Sequence, residues 1–152
     1  MTAFASSRFA ATGDCQYVRF NLSNKTTNNT PTELFLDGIS ATQRLTIPAG
    51  KIMNCAVKIT GIKSDGTDQV GHNLQAGSGS NTDWYGGIKN VSATTTLFSA
   101  FSIATYTRAD GVGWAISADD TLDCLKITVT GKTGETWRWI ALVEGTEIAY
   151  GT

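Results

Sequence analysis

Apolar and polar positions alternate through most of this chain. In the last third, Leu125, Ile127 and Val129 alternate with Lys126, Thr128 and Thr130. A period of two puts three apolar side chains on one face of a strand and charge or hydroxyls on the other. Gly131-Lys132-Thr133-Gly134 is a glycine-bounded loop of hairpin length. The segment after it, Glu135 to Val143, carries Trp137, Trp139, Ala141 and Val143 on one face, and Arg138, Ile140 and Leu142 on the other. The pattern predicts a hairpin whose second strand, polar only at Arg138, is covered on both sides. A hairpin alone is marginal in water and needs a second layer or a partner chain.

The same alternation predicts further strands. In 15–22, Val18, Phe20 and Leu22 point inward and Tyr17, Arg19 and Asn21 outward; 51–63 lines Met53, Cys55, Val57 and Ile59 along one face. Short strands are expected at 32–36, closed by Asp37-Gly38, at 43–47, stopped by Pro48-Ala49-Gly50, and at 113–118. Residues 84–91 read as a strand bulged at Gly86-Gly87, and 94–107 as one bent near Phe98, where alternation breaks. Residues 23–30 and 70–83 read as polar loops. Gly145 interrupts the pattern after Val143, leaving 146–150 as a last edge strand. No segment has a sustained 3.6-residue period. About eight to ten strands with turn signals between them is the pattern of a sandwich or barrel. The expected fold is all-β, an antiparallel β-sandwich over 15–152 preceded by an N-terminal arm, 1–14.

Composition agrees. A length of 152 residues fits one domain, and 41% hydrophobic residues supply a core. Charged residues are 16%, against about 25% in an average soluble protein. Thr, Ser, Asn and Gly take their place, which favours pleated surfaces and turns. The net charge is −1 with no basic stripe, which argues against nucleic acid as a partner. No apolar stretch nears the roughly 20 residues of a membrane-spanning helix. Residues 1–14 lack a basic and then apolar leader pattern, so synthesis and folding in a cytoplasm are expected. Cys15, Cys55 and Cys124 are widely spaced without a CxxC. They fit neither a disulfide framework nor a zinc site and read as small buried hydrophobes.

Candidate chemistry is sparse. Phe4, Arg8 and Phe9 are the large side chains of the arm, which either frays or docks on a neighbour. His72, the one histidine, stands beside Asn73 in a polar stretch without the companions of a metal site or a catalytic triad. Asp119, Asp120 and Asp123 invite comparison with the paired carboxylates of glycoside hydrolysis, but their place before a strand favours bonding to the local backbone. Asp65-Gly66-Thr67-Asp68 lacks the spacing of a calcium loop. Trp84 and Tyr85 are of the type that stacks on sugars, whereas Trp137 and Trp139 read as core. No cofactor, metal or catalytic role is expected.

Thr32 to Gly38 and Arg44 to Lys51 resemble a β-rich domain that recurs in virion structural proteins of tailed bacteriophages, especially cyanophages. The likeness continues in order through Gly87 to Asn90, Trp114 to Thr121, Leu125 to Gly131 and Trp137 to Ala141, so it covers 32–148. In that family the domain sits inside longer, fibre-like proteins. Here about thirty residues precede it, an arrangement that resembles capsid decoration (cement) proteins. The resemblance implies a jelly-roll-like homotrimer on the virion surface, made in the bacterial host cytoplasm, with the major capsid protein as partner. Phe4, Arg8 and Phe9 are then the anchoring arm. The other implied role is a tail-fibre or spike receptor-binding domain, in which His72, Asn73, Trp84 and Tyr85 meet a host surface glycan. A polysaccharide-cleaving enzyme is a distant third.

Overall fold

The structure, a computed structural model, describes residues 2–4, 8–39, 42–73, 86–99 and 104–149. Among them twelve strands form two antiparallel sheets, an all-β fold as the alternation predicts. The larger sheet runs β1 (Thr2–Phe4), β2 (Cys15–Thr26), β12 (Trp137–Ala149), β5 (Lys51–Lys63), β7 (Gly86–Val91) and β8 (Thr94–Ser99). The strand β6 (Gln69–Asn73) shares one edge of β5 with β7, end to end. The smaller sheet runs β3 (Thr32–Glu33), β11 (Cys124–Thr130), β10 (Gly113–Asp119) and β9 (Thr105–Thr107), with β4 (Leu45–Thr46) following β3 along β11.

The core lies between the sheets. Val18, Phe20 and Leu22 on β2, Met53 to Ile59 at alternate positions on β5, and Ala141 and Val143 on β12 form one wall; Trp114, Ile116, Ile127 and Val129 form much of the other. Trp137 and Trp139 are fully buried and stack with ring centroids 5.8 Å apart. Their indole N–H groups are satisfied: Trp137 donates to Glu135 Oε2 and Trp139 to Thr26 Oγ1, both at 3.0 Å. Across the core Trp114 stacks on Tyr106 at 4.5 Å. Cys55 and Cys124 are buried and Cys15 half-buried, with no disulfide. Burial pushes the Cys55 thiol up to about 12 and contributes most to raising Cys124 to about 11. Both stay protonated and unreactive at neutral pH.

The predicted terminal hairpin does not form. The two strands lie in different sheets: β11 pairs with β10, β3 and β4, while β12 pairs with β2 and β5. Residues 131–136 therefore cross from one sheet to the other. Both strands turn apolar faces inward, and a period of two does not distinguish a neighbour in the same sheet from one across the core. At the start of the crossing Gly131 lies against Thr26, where a Cβ would collide with the hydroxyl that accepts the Trp139 bond.

Other boundaries shift for similar reasons. Thr94–Ser99 and Thr105–Thr107 are separate strands in opposite sheets, β8 and β9, rather than parts of one bent strand. The expected bulge at the glycines is present, as a register shift between Gly87 and Ile88. Polar 23–26 continues β2 rather than opening a loop, because it pairs with Trp137 to Ile140. Residues 70–73 lie in β6, paired with Lys58 to Gly61, instead of in a loop.

Residues 146–149 belong to β12, which runs unbroken from Trp137 to Ala149 in the middle of the sheet. Gly145 faces Val18 on one side and Cys55 on the other, and a Cβ there would strike the Asn54 carbonyl and the Cys55 Cα. The glycine permits close backbone approach and does not end the strand. Beyond it Glu147 is buried, bonded to Lys51 Nζ at 2.5 Å and Gln16 Nε2 at 2.8 Å. Gly145→Ala is expected to cost about 1–3 kcal/mol of stability through overpacking, whereas exposed Thr146→Ala stays within about 0.5 kcal/mol. Chemical denaturation of the two variants checks the contrast.

Candidate binding face

The outer side of the larger sheet is uncovered among the described residues. Alternation that sends Val18, Phe20 and Leu22 inward sends Tyr17, Arg19, Asn21 and Lys25 of β2 outward. On β12 the outward set is Arg138, Ile140, Leu142, Glu144, Thr146 and Ile148; on β5 it includes Ile52, Lys58 and Ile62. The expected second cover over β12 is absent there, and Ile140 is 47% exposed. Tyr17, Ile62 and Ile148 are similarly exposed. Phe98 joins the same face: its ring occupies the space a Gly87 Cβ would fill, and Gly87 pairs with outward-facing Asn54.

A shallow depression of about 400 Å³ in this face is lined by Tyr17, Asn54, Ala56, Glu144, Gly145 and Thr146. Glu144 receives the Lys58 ammonium at 2.6 Å and the Tyr17 hydroxyl at 3.1 Å. The Lys58 hydrogen bond, helped by Tyr17, holds Glu144 below the usual carboxylate range. Burial, reinforced by Glu144, pushes the Tyr17 phenol up. At neutral pH this is an ion-paired carboxylate beside a neutral phenol.

One cross-strand level departs from the rule that facing charges be opposite. Lys25 stands directly across from Arg138, and Arg138 from Ile62 on its other side. Like charges at facing positions are destabilising. At the next level Ser23 faces Ile140 and Ile140 faces Thr60.

The carboxylates of the 119–123 turn serve the fold. Asp119 accepts from Lys126 Nζ at 3.0 Å and Leu122 N at 3.1 Å, and the Lys126 bond lowers its pKa. Asp120 accepts from Thr95 N, and Asp123 from Thr95 Oγ1 at 2.7 Å and Asn90 Nδ2 at 3.1 Å. Asn90 Nδ2 also donates to Ile47 O at 2.9 Å. These bonds tie the turn before β11 to β7 and β8, clasping the two sheets at one end.

The residues singled out in the sequence are dispersed. Phe4 sits in β1 opposite Tyr17, at one edge of the larger sheet. Arg8 and Phe9 are exposed in the turn that follows, Phe9 at 73%. That turn is organised by Asp14, which accepts backbone N–H bonds from Phe9 at 3.0 Å, Ala10 at 2.6 Å and Ala11 at 2.8 Å. His72 and Asn73 lie in β6, paired with Ile59 and Lys58, on the far side of β5 from the arm. Trp84 and Tyr85 lie outside the described residues. The outer face of β12 was not singled out, although Ile140 and Leu142 signalled it: apolar side chains on both faces of a strand mark either a covered layer or an open binding surface. No protein-family model, curated protein or solved structure matches the chain.

Asp14, Asp119 and Glu144 all titrate below their ordinary values, Asp14 chiefly through the Ala10 amide. A depressed folded pKa contributes stability that is complete above the unfolded value of about 4 and is lost as pH falls through the folded one. Urea midpoints are therefore expected to hold from neutral pH to about 5 and to fall below about 4. Asp14→Asn should be less stable than wild type at neutral pH, with the gap closing in acid. Parallel profiles at every pH would sink the role given to Asp14.

Proposed function

We propose that this protein is a bacteriophage virion structural protein, a capsid decoration (cement) protein. It acts as a jelly-roll-like homotrimer on the virion surface and reinforces the shell by binding between copies of the major capsid protein. The observation that carries an adhesive role is the open outer face of the larger sheet, where Tyr17, Ile62, Phe98, Ile140 and Ile148 are each exposed, spread along the strands among charged side chains. Exposed apolar side chains on one rigid face give a partner apolar area to bury. Nested pairing supports the jelly-roll-like reading: β2 pairs with β12, and β3 and β4 pair with β11, early strands with late ones. The virion setting rests on the ordered likeness of residues 32–148 to the phage domain.

Several modest contacts made at once by linked subunits act at high effective concentration, so a trimer holds far more tightly than one face alone. The arm adds a further contact. Phe9 is presented to solvent on a turn that Asp14 holds in shape, with Arg8 beside it.

Mass spectrometry and electron microscopy of purified particles from the encoding phage test the proposal. The expected result is density on the capsid at trimer positions. Phe9→Ser, which leaves the Asp14 turn intact, is expected to lower occupancy. Location on the tail, together with glycan-array binding, would favour the receptor-binding alternative instead. Undiminished occupancy of Phe9→Ser would remove the arm from the anchoring mechanism.

A further inference from the structure

The basic side chains of this protein are spread unevenly between structural and unspent roles. Most are matched: Arg44 to Glu33, Lys51 to Glu147, Lys126 to Asp119, and Arg108 to both Asp68 and Asp110. Apart from Arg8 in the arm, the cations with no carboxylate within 4.0 Å among the described residues are Arg19, Lys25, Lys89 and Arg138. All four project from the outer face of the larger sheet. Glu144 is the one carboxylate aligned with them there among the described residues, and Lys58 already neutralises it. Among the described residues, a chain of net charge −1 thus gathers its unpaired strand cations on one face.

We propose that Lys25 and Arg138, with Ile62 and Ile140 beside them, form a docking patch for an acidic protein segment. That segment brings neighbouring carboxylates together with apolar side chains. The proposal rests on the adhesive reading above and names the chemistry of the partner surface. Lys25 and Arg138 face each other across the β2–β12 ladder, so their repulsion is relieved when an anion bridges them. A guanidinium takes a carboxylate through two parallel bonds, which suits Arg138 to Asp or Glu. Ile62 adjoins Arg138 across the ladder and Ile140 follows it along the strand, 43% and 47% exposed, so the partner needs apolar groups as well as charge. Nucleic acid, a polyphosphate without aliphatic side chains, does not meet that second requirement.

The test uses the full chain and a random glutamate–tyrosine copolymer as probe, with binding read by fluorescence anisotropy at about 0.15 M salt. Wild type is expected to bind at least about tenfold more tightly than Lys25→Glu or Arg138→Glu, and Arg138→Lys to fall between them, since it keeps the charge and loses the paired bonds. Lys25→Glu places opposite charges at facing positions, so its melting temperature should be unchanged or raised by about 1–3 °C while binding falls. A purely structural role would move stability and binding together. Equal copolymer binding by wild type and the Glu variants overturns the proposal. Tighter binding to heparin or to phosphatidylserine vesicles than to the copolymer overturns it in favour of a polysaccharide or lipid. A self-associated species in sedimentation that Arg138→Glu abolishes, without copolymer binding, reassigns the patch to a second copy of this chain. Particles that carry Lys25→Glu at full occupancy refute the patch and leave the adhesive reading standing; if particles never carry the chain, the copolymer result still decides the patch.

Discussion

The structure depends on the backbone ladders of β12. This strand lies between β2 and β5 and is paired with both along nearly its whole length, from Trp137 to Ile148 and from Trp137 to Ala149. Its inward side chains anchor one wall of the core and its ends organise the rest. At one end Trp139 bonds Thr26, against which Gly131 carries the chain between sheets. At the other, Glu147 gathers Lys51 and Gln16. Gly145 makes the double pairing sterically possible, because the neighbouring backbone leaves no room for a side chain.

Polar groups at the ends of the sandwich are spent on holding it closed. Asp120, Asp123, Asn90 and Thr95 link the turn before β11 to β7 and β8, and Arg108 lies over Trp137 while pairing with Asp68 and Asp110. Asn90 and Thr95, buried polar groups that find partners, help to specify one arrangement of the sheets. The outer face of the larger sheet has the opposite character. Its like-charged pair and exposed isoleucines contribute nothing evident to folding, and local departures of that kind concentrate where a protein meets something else.

Much of the fold was legible in the residues. Alternation along 15–22, 51–63 and 125–130 placed the inward side chains correctly, since a pleated strand sends successive side chains to opposite faces whatever its neighbours are. The same rule placed Trp137 and Trp139 in the core, and the glycine pair Gly86-Gly87 marked the bulge. The candidate face was legible only in part. Ile140 and Leu142 announced an apolar second face on β12, but an inner layer and an exposed docking surface have the same local pattern.

What the sequence determined by itself was therefore the class, an all-β chain, and the inward or outward sense of most strand positions. Both follow from a period of two that each segment carries alone. Tertiary structure decided the partners: that β11 and β12 belong to opposite sheets, that Gly145 sits inside a central strand, that 23–26 and 70–73 extend the larger sheet, and that Lys25 faces Arg138. Those outcomes depend on pairing between segments far apart in the chain, where ladder hydrogen bonds and core packing select among neighbours that share one alternation.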